Sequence, residues 1–196
     1  MDPRRWTVCS FLLAVLAFAA GAGTGRAEDA WSPPGPAVGA RFPTGLGLPD
    51  QTGTTRNLSA LQGARGTVIV FVRSADWCPY CMRQLADVNQ RLAKFEALGL
   101  AVVSVSVDSV AEIADFHRKQ KIGYAMLADT DGGVVQSLGI RDPAYGPDSD
   151  AFGVPRPVIF VLDRTQVVRA KYAEQGYRNR PDLDRVLGEL ARLDLG

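Results

Sequence analysis

The segment 77–81 (WCPYC) constrains the fold more than any other feature of this sequence. It directly follows residues 67–72 (TVIVFV), a continuous β-branched and aromatic run that is typical of a strand covered on both faces. After it, apolar residues recur at helical spacing as far as Phe95, and Gly99 provides a stop. The sequence therefore predicts a core strand, a turn that carries two cysteines, and a single helix ending near Gly99.

This placement has a chemical consequence for both cysteines. Cys78 is expected at the N-terminus of the helix, where unpaired N–H groups and the helix dipole favour a thiolate. Pro79 is tolerated at the first helical position because that N–H has no partner within the helix. Cys81 follows one turn later on the same face, so the two sulfur atoms are predicted to form and break a disulfide.

Two other roles for such a pair are a structural disulfide and a metal site. A structural disulfide is disfavoured, because so short a loop gains little from closure entropy. A metal site would need further ligands, and the chain has no second C-x-x-C motif. Its only histidine, His117, lies on a predicted second helix and is expected to be a solvated helix residue. We therefore expect a redox-active pair, with no metal and no cofactor.

Further strands and helices alternate along the rest of the chain. A Ser109-x-x-Glu112 capping box opens the second helix, and Pro181 is expected to open the last one. Strands are predicted at 100–107, 157–162 and 167–172, with a shorter apolar segment at 125–128, a short helix or turn at 134–138 and a hairpin turn at 163–166. This alternation predicts an α/β sheet with helices on both faces.

One long loop interrupts the alternation, at residues 139–156. Loops of this length inside a compact domain are often functional. Tyr145 and Phe152 are candidate contacts for a partner there. The alternative is that they only pin the loop to the domain.

The N-terminal residues differ in composition from the rest. Two arginines, an apolar run and a small-x-small site (residues 25–27) predict a cleaved secretory signal peptide over 1–27. A transmembrane anchor is the alternative, but the apolar run is too short to span hydrocarbon. Residues 28–37 are rich in Pro, Gly and Ala and predict a tether, followed by one domain over 38–196. We expect a periplasmic or secreted protein with no stable membrane span after cleavage.

The charge balance argues against one class of partner. The chain has 22 Lys and Arg residues against 21 Asp and Glu residues. Such a balance provides no broad basic field to hold a phosphate backbone, so nucleic-acid binding is not expected.

Taken together, the motif and its flanks resemble the thioredoxin superfamily. Within it they are similar to the alkyl hydroperoxide reductase / thiol-specific antioxidant family, also called redoxins. The similarity rests on the leader segments 38–43, 50–53 and 58–63, the WCPYC site, and the later strand 157–163. The resemblance implies a thioredoxin-like α/β fold, with a central mixed, mostly parallel sheet, helices on both faces and an N-terminal redoxin extension.

The resemblance also implies roles for single residues. Cys78 matches the attacking cysteine and Cys81 the resolving cysteine. A cis proline is expected beside the disulfide, at Pro157 or at its rival Pro155. The residues expected to contact substrate are Trp77, Pro79, Tyr80, Arg156 and Pro157.

Three positions depart from the family pattern. Thioredoxins have a buried acid where this chain has Val72, and Asp76 is the nearest carboxylate in sequence. Peroxidase members carry Pro-x-x-x-Thr/Ser-x-x-Cys to orient the peroxide, whereas this chain has Phe71 and Ala75 at those two positions. Peroxide binding is thereby placed in doubt.

Three functions follow from these observations. The first is an exported thiol-disulfide oxidoreductase that acts on protein or small-thiol disulfides through Cys78 and Cys81, with a thiol protein as its electron donor. The alternative is an atypical, peroxiredoxin-like thiol peroxidase with antioxidant activity that reduces hydroperoxides through Cys78. A copper-binding module that uses the two cysteines and His117 is the third.

Overall fold

A computed structural model describes residues 31–43, 45 and 47–195. The predicted signal peptide lies outside the described residues. The strands are β1 (Gly47–Pro49), β2 (Thr55–Asn57), β3 (Gly66–Phe71), β4 (Leu100–Ser106), β5 (Ala125–Ala128), β6 (Val158–Asp163) and β7 (Val168–Tyr172). The α-helices are α1 (Pro79–Gln90), α2 (Leu92–Ala97), α3 (Val110–Gln120), α4 (Gly133–Ser137) and α5 (Leu183–Leu190), and a 3-10 helix covers Leu58–Leu61.

The core of the domain is a five-stranded sheet in the order β5-β4-β3-β6-β7. The pairs β3–β4 and β4–β5 are parallel, whereas β6 is antiparallel to both β3 and β7. Four of these five strands therefore point in one direction, in agreement with the predicted mixed, mostly parallel sheet. The central strand β3 is buried along its whole length, which explains its unbroken apolar sequence.

Helices cover both faces of the sheet, and each face has its own apolar cluster. The first cluster joins alternate residues of β3 and β4 to α1, α2, α3 and α5, and it includes both cysteines. The second joins the other residues of these strands to α4 and to the leader residues Phe42, Leu48 and Leu58. The N-terminal extension thus packs on the face opposite the cysteines.

The predicted single helix after the cysteines is in fact two helices. Arg91 interrupts it with φ −104° and ψ 6°, values outside the helical range. Its guanidinium group bonds to Asp87 on α1 and to Asp184 on α5, at 3.0 and 2.8 Å. The pair with Asp184 is a tertiary contact, and it accompanies a break that helical periodicity alone could not show.

The last helix also begins later than predicted. The side chain of Asp182 accepts hydrogen bonds from the backbone N–H groups of Asp184 and Arg185, so Asp182 is the N-cap and Leu183 the first helical residue. Pro181 lies before the cap and is buried. The prediction at Ser109 is confirmed, since both hydrogen bonds of its capping box with Glu112 are present.

The segment predicted as a tether is described from residue 31 onwards, and part of it packs against the domain. Gly35 lies so close to the sheet that an added Cβ would approach Ile140 and Phe160 to 2.6 and 2.8 Å. Its carbonyl oxygen accepts a hydrogen bond from the Nζ of Lys171 on β7. Residues around Gly35 are therefore part of the packed domain.

Candidate active site

The two cysteines occupy the N-terminus of α1, at the carboxyl end of the central strand. Cys78 is the N-cap residue, and its carbonyl oxygen accepts hydrogen bonds from the N–H groups of Cys81 and Met82. Cys78 and Cys81 form a disulfide with a Cα–Cα distance of 5.2 Å. The predicted pairing is confirmed, and both residues are almost wholly buried.

The loop before Cys78 is held by a buried carboxylate that sequence reasoning missed. Asp108 accepts hydrogen bonds from the Ala75 N–H at 2.6 Å and from the Ser106 hydroxyl at 2.7 Å. Burial raises the pKa of Asp108, although hydrogen bonds from Ser74, Ala75 and Ser106 oppose that rise. One signal was available, because Asp108 follows β4 and parallel neighbours such as β3 and β4 end at the same edge of a sheet.

Ser74 completes this arrangement. Its hydroxyl oxygen accepts from the N–H groups of Asp76 and Trp77, at 2.9 and 3.1 Å. The hydroxyl also donates to Asp108. Its hydrogen-bonding capacity is thus used within the loop, and it does not replace the hydroxyl missing at Ala75.

The second missed residue is Arg180, which contacts Cys81 directly. Its Nη2 donates to the Sγ of Cys81 across 3.2 Å. Its Nε donates to the side-chain oxygen of Gln84, and its Nη1 donates to the carbonyl oxygens of Tyr177 and Asn179. A cation held in this way stabilises a thiolate at Cys81.

Arg180 has no carboxylate partner within the part of the chain that the structure describes. Burial, together with the charges of Arg73 and Arg83, lowers the pKa of Arg180 to about 10. Even so, the group is protonated at neutral pH, so the disulfide lies in a positive electrostatic environment.

Arg73 is enclosed by aromatic rings beside the cysteines. The guanidinium carbon of Arg73 lies 5.2, 4.8 and 4.5 Å from the ring centroids of Trp77, Tyr145 and Tyr177. The residue is only 5% exposed, and its Nε has no hydrogen-bond partner among the described residues. Cation–π contacts stabilise such a group. Tyr145 thus pins the long loop to the site.

The long loop is closed at its base by backbone pairing. Arg141 and Pro155 form an isolated β-bridge, and the N–H of Arg156 donates to the carbonyl oxygen of Ile140 at 2.8 Å. Within the loop, the guanidinium of Arg141 stacks on Phe152 at 4.9 Å. Phe152 is 43% exposed, so it is still available to a partner.

Three of the predicted substrate contacts surround the cysteines. Trp77 is 46% exposed and lines a polar cavity of about 400 Å³ that also includes Asp108 and Phe152. Pro79 occupies the first position of α1 and is exposed. The Tyr80 ring stacks beneath Arg83 on the other side of the motif.

Arg156 and Pro157 line a separate, mainly apolar cavity of about 330 Å³, together with Trp31 and Tyr177. The expectation of a cis proline is wrong for the described residues, in which every peptide bond is trans, including those before Pro155 and Pro157. The bridge to Arg141 and the hydrogen bond from the Arg156 N–H to Ile140 hold the backbone of this stretch extended.

Two of the departures from the family pattern fall in the core. Phe71 and Ala75 are buried, at 0% and 1% exposure, so neither position offers a polar group to a peroxide. Asp76, the carboxylate nearest in sequence, is exposed to solvent.

The metal alternative lacks a ligand set. Among the described residues, no three His, Cys, Asp or Glu side chains are grouped so as to hold a metal ion. His117 lies half-buried on α3.

No helix in the described part of the chain is long and apolar enough to cross a membrane.

Comparison with known families gives a match over most of the domain. The model of the AhpC/TSA family matches residues 38–171. Similar curated proteins include the chloroplastic peroxiredoxin Q of Suaeda salsa, which is 32% identical over 135 residues, and that of Sedum lineare, 33% identical over 129 residues. The alignments cover 68% and 65% of this chain, and the chain spans 59% and 64% of the two relatives.

Solved structures share the fold. The peroxidoxin BcpB of Mycobacterium tuberculosis has a TM-score of 0.67 at 24% identity, covering 79% of this chain and 96% of that one. Peroxiredoxin Q of Xanthomonas campestris has a TM-score of 0.63 at 24% identity, covering 75% and 90%. These likenesses show a thioredoxin-like peroxiredoxin fold.

Proposed function

Because this chain belongs to the AhpC/TSA family, we propose that it is a thiol-based oxidoreductase, and specifically a thiol peroxidase that uses Cys78 and Cys81. The observation that carries the proposal is the disulfide at the N-terminus of α1. The relatives named as peroxiredoxins support the peroxidase form of this activity over general disulfide exchange.

The reaction follows from the positions of the two sulfurs. The Cys78 thiolate attacks a hydroperoxide, the O–O bond breaks, and the leaving alkoxide takes a proton to form an alcohol, while Cys78 becomes a sulfenic acid. The Cys81 thiolate then attacks the Cys78 sulfur and expels hydroxide, which forms the disulfide. Two equivalents of an external thiol reduce that disulfide and restore both cysteines.

Each cysteine has its own electrostatic support. Cys78 caps α1, where the helix dipole favours its thiolate. Cys81 is wholly buried in the first turn of the helix, and the guanidinium of Arg180 at 3.2 Å supports its thiolate there. Arg180 is therefore a positioning residue for the resolving step.

A second candidate function rests on a specific observation. With Ala75 in place of a hydroxyl residue, the site lacks one donor that would orient a peroxide. A C-x-x-C pair can also act on a protein disulfide: Cys78 forms a mixed disulfide with it, and Cys81 attacks Cys78 to release the reduced protein.

A stopped-flow experiment distinguishes the two functions. Reduced protein is mixed with hydrogen peroxide or with insulin, and the change in tryptophan fluorescence reports oxidation next to Trp77. We expect peroxide to react faster than insulin, Cys78→Ser to abolish the reaction, and Cys81→Ser to stop at a sulfenic acid that dimedone traps. Faster reaction with insulin would favour the second candidate, and reaction of Cys78→Ser with both peroxide and insulin would refute both.

We further propose that the protein is exported, on the basis of the signal-peptide pattern in residues 1–27. A fusion of these residues to alkaline phosphatase, which is active only outside the cytoplasm, tests this. Activity of the fusion is expected, and inactivity of an expressed fusion would contradict export.

A further inference from the structure

A groove of about 450 Å³ lies beside the disulfide, between α1 and the segment that leads into α5. Its lining includes the guanidinium-bearing residues Arg83, Arg178 and Arg180, with Tyr80 and Gln84 between them. A volume of this size is typical of sites for small molecules. Neither sequence reasoning nor the proposed peroxide chemistry gives this groove a role.

The groove carries an excess of positive charge. In the described part of the chain, Arg83, Arg178 and Arg180 form no ion pairs. Its carboxylate, Asp87, is already paired with Arg91 at 3.0 Å. The three guanidinium groups therefore create a positive potential that a bound anion would neutralise.

The aromatic residues hold two of these cations in place. Arg83 stacks on Tyr80 at 4.8 Å, and Arg178 lies 5.4 Å from the Tyr177 ring centroid and donates to the Tyr177 hydroxyl. The two rings pack edge to face at 6.0 Å. Because these side chains are ordered in advance, an anion would lose less entropy in ordering them.

The groove reaches one of the two sulfurs, that of Cys81, through Arg180. Tyr80 lies between the two cysteines in the sequence, and Arg180 contacts both the groove and the Sγ of Cys81. An anion bound to these arginines would place the rest of a small molecule within reach of the motif.

We propose that the groove binds the reductant of this enzyme, and that this reductant is a small thiol carrying a carboxylate or sulfonate group. The inference rests on the proposed peroxidase function, because it names the thiol that closes that cycle. The bound thiolate attacks Cys78, the S–S bond breaks, and Cys81 leaves as a thiolate beside Arg180. A second small thiolate attacks the small-molecule sulfur of this mixed disulfide, which releases the oxidised small disulfide and the Cys78 thiolate.

The test starts from the disulfide form and uses no peroxide. Reduction is followed by tryptophan fluorescence with 2-mercaptoethanesulfonate and with uncharged 2-mercaptoethanol. Each rate is divided by the rate of the same thiol with hydroxyethyl disulfide, an uncharged reference. We expect the ratio of the two normalised rates to favour the sulfonate by about fivefold or more. It should decrease towards one as KCl is raised to 1 M, because salt screens the attraction.

Charge-reversal variants locate the effect. Arg83→Glu and Arg178→Glu should each lower the ratio by about fivefold. Arg164→Glu is the matched control: it reverses an exposed charge in the β6–β7 turn, at the opposite end of the sheet, and should leave the ratio unchanged. A ratio of one in the native protein, or an equal decrease in all three variants, would overturn the proposal.

This result is separate from the peroxidase test. If the reduced protein fails to react with peroxide but its disulfide still prefers the sulfonate, the proposed function fails and the anionic-thiol site stands. If peroxide reacts and the preference is absent, only the groove proposal fails.

Discussion

Arg180 donates a hydrogen bond to the sulfur of Cys81 across 3.2 Å, although 99 positions separate the two residues in the sequence. A buried sulfur at the second position of a C-x-x-C pair is ordinarily a poor thiolate, because burial disfavours its charged form. The guanidinium group compensates for that burial. It links the segment before α5 to the chemistry at the start of α1.

Replacing Arg180 with Gln should raise the pKa of the Cys81 thiol and slow disulfide formation after peroxide oxidation. Hydrogen bonds to charged groups contribute about 1.5–3 kcal/mol, so the resolving step should slow about tenfold or more at pH 7. The pH dependence of iodoacetamide alkylation in a Cys78→Ser background measures the Cys81 thiol alone. Arg180→Lys, which keeps the charge, should recover part of the rate. Unchanged alkylation profiles in both variants would show that Arg180 has only a structural role.

Introducing a hydroxyl at position 75 should accelerate the reaction with peroxide. Ala75→Thr supplies the donor that the family's peroxidase motif carries, and a hydrogen bond of about 0.5–1.5 kcal/mol raises the rate by up to about tenfold. The site is buried, so the larger side chain should also cost about 1–3 kcal/mol of stability. Ala75→Val is the matched control, since it has the same shape without the hydroxyl. Equal rates in the two variants would contradict the prediction.

Substituting Arg73 with Lys should destabilise the protein by about 1–2 kcal/mol. Lysine lacks the planar group that stacks on Trp77, Tyr145 and Tyr177, and each cation–π contact contributes about 0.5–1 kcal/mol. Urea unfolding gives the change in free energy. Arg83→Lys, which removes a single exposed contact, should alter stability by less than about 0.5 kcal/mol. A similar loss in both variants would argue against a special role for the enclosed arginine.

Asp50 should make stability dependent on acid pH. Burial alone would raise its pKa, but hydrogen bonds from Thr52, Arg56 and Thr54 outweigh burial and lower the pKa to about 2. The folded-state pKa is thus below the unfolded one, so Asp50 contributes stability above about pH 4 and loses it as pH falls through 2. Asp50→Asn should therefore lower the free energy of unfolding by about 2 kcal/mol at pH 7, with a difference that narrows below pH 4.

Thermal or urea unfolding between pH 2 and 7 measures this effect. Asp148→Asn provides the comparison, because it removes an exposed carboxylate from the long loop and should change little at any pH. A constant difference between the Asp50 variant and the native protein across this range would refute the assignment.

The parts of the fold that local pattern determines could be predicted from the sequence. The strand before the cysteines, the capping box at Ser109 and the pairing of Cys78 with Cys81 each depend on residues close together in the chain. Burial on both faces leaves an apolar run, and helix capping leaves a fixed spacing. Such signals persist whatever packs around them.

Features that depend on distant residues could not be predicted in this way. The helix break at Arg91 coincides with an ion pair to Asp184. The contact of Arg180 with Cys81 joins residues that are 99 positions apart in the sequence. Arg73 follows β3 at the sheet edge where sites form, which is a partial signal, but its three aromatic neighbours come from three different segments. Each of these features depends on tertiary packing, which leaves no periodic pattern in the local sequence.

The backbone bridge between Arg141 and Pro155 has a consequence for how such enzymes diversify. Since the two strands of the bridge fix where the intervening residues leave and rejoin the domain, that stretch can change length or sequence without altering the entry into β6. The loop can therefore vary while Cys78 and Cys81 stay unchanged. New partner preferences can then arise by replacing residues 146–153, which leaves Tyr145 in place against Arg73.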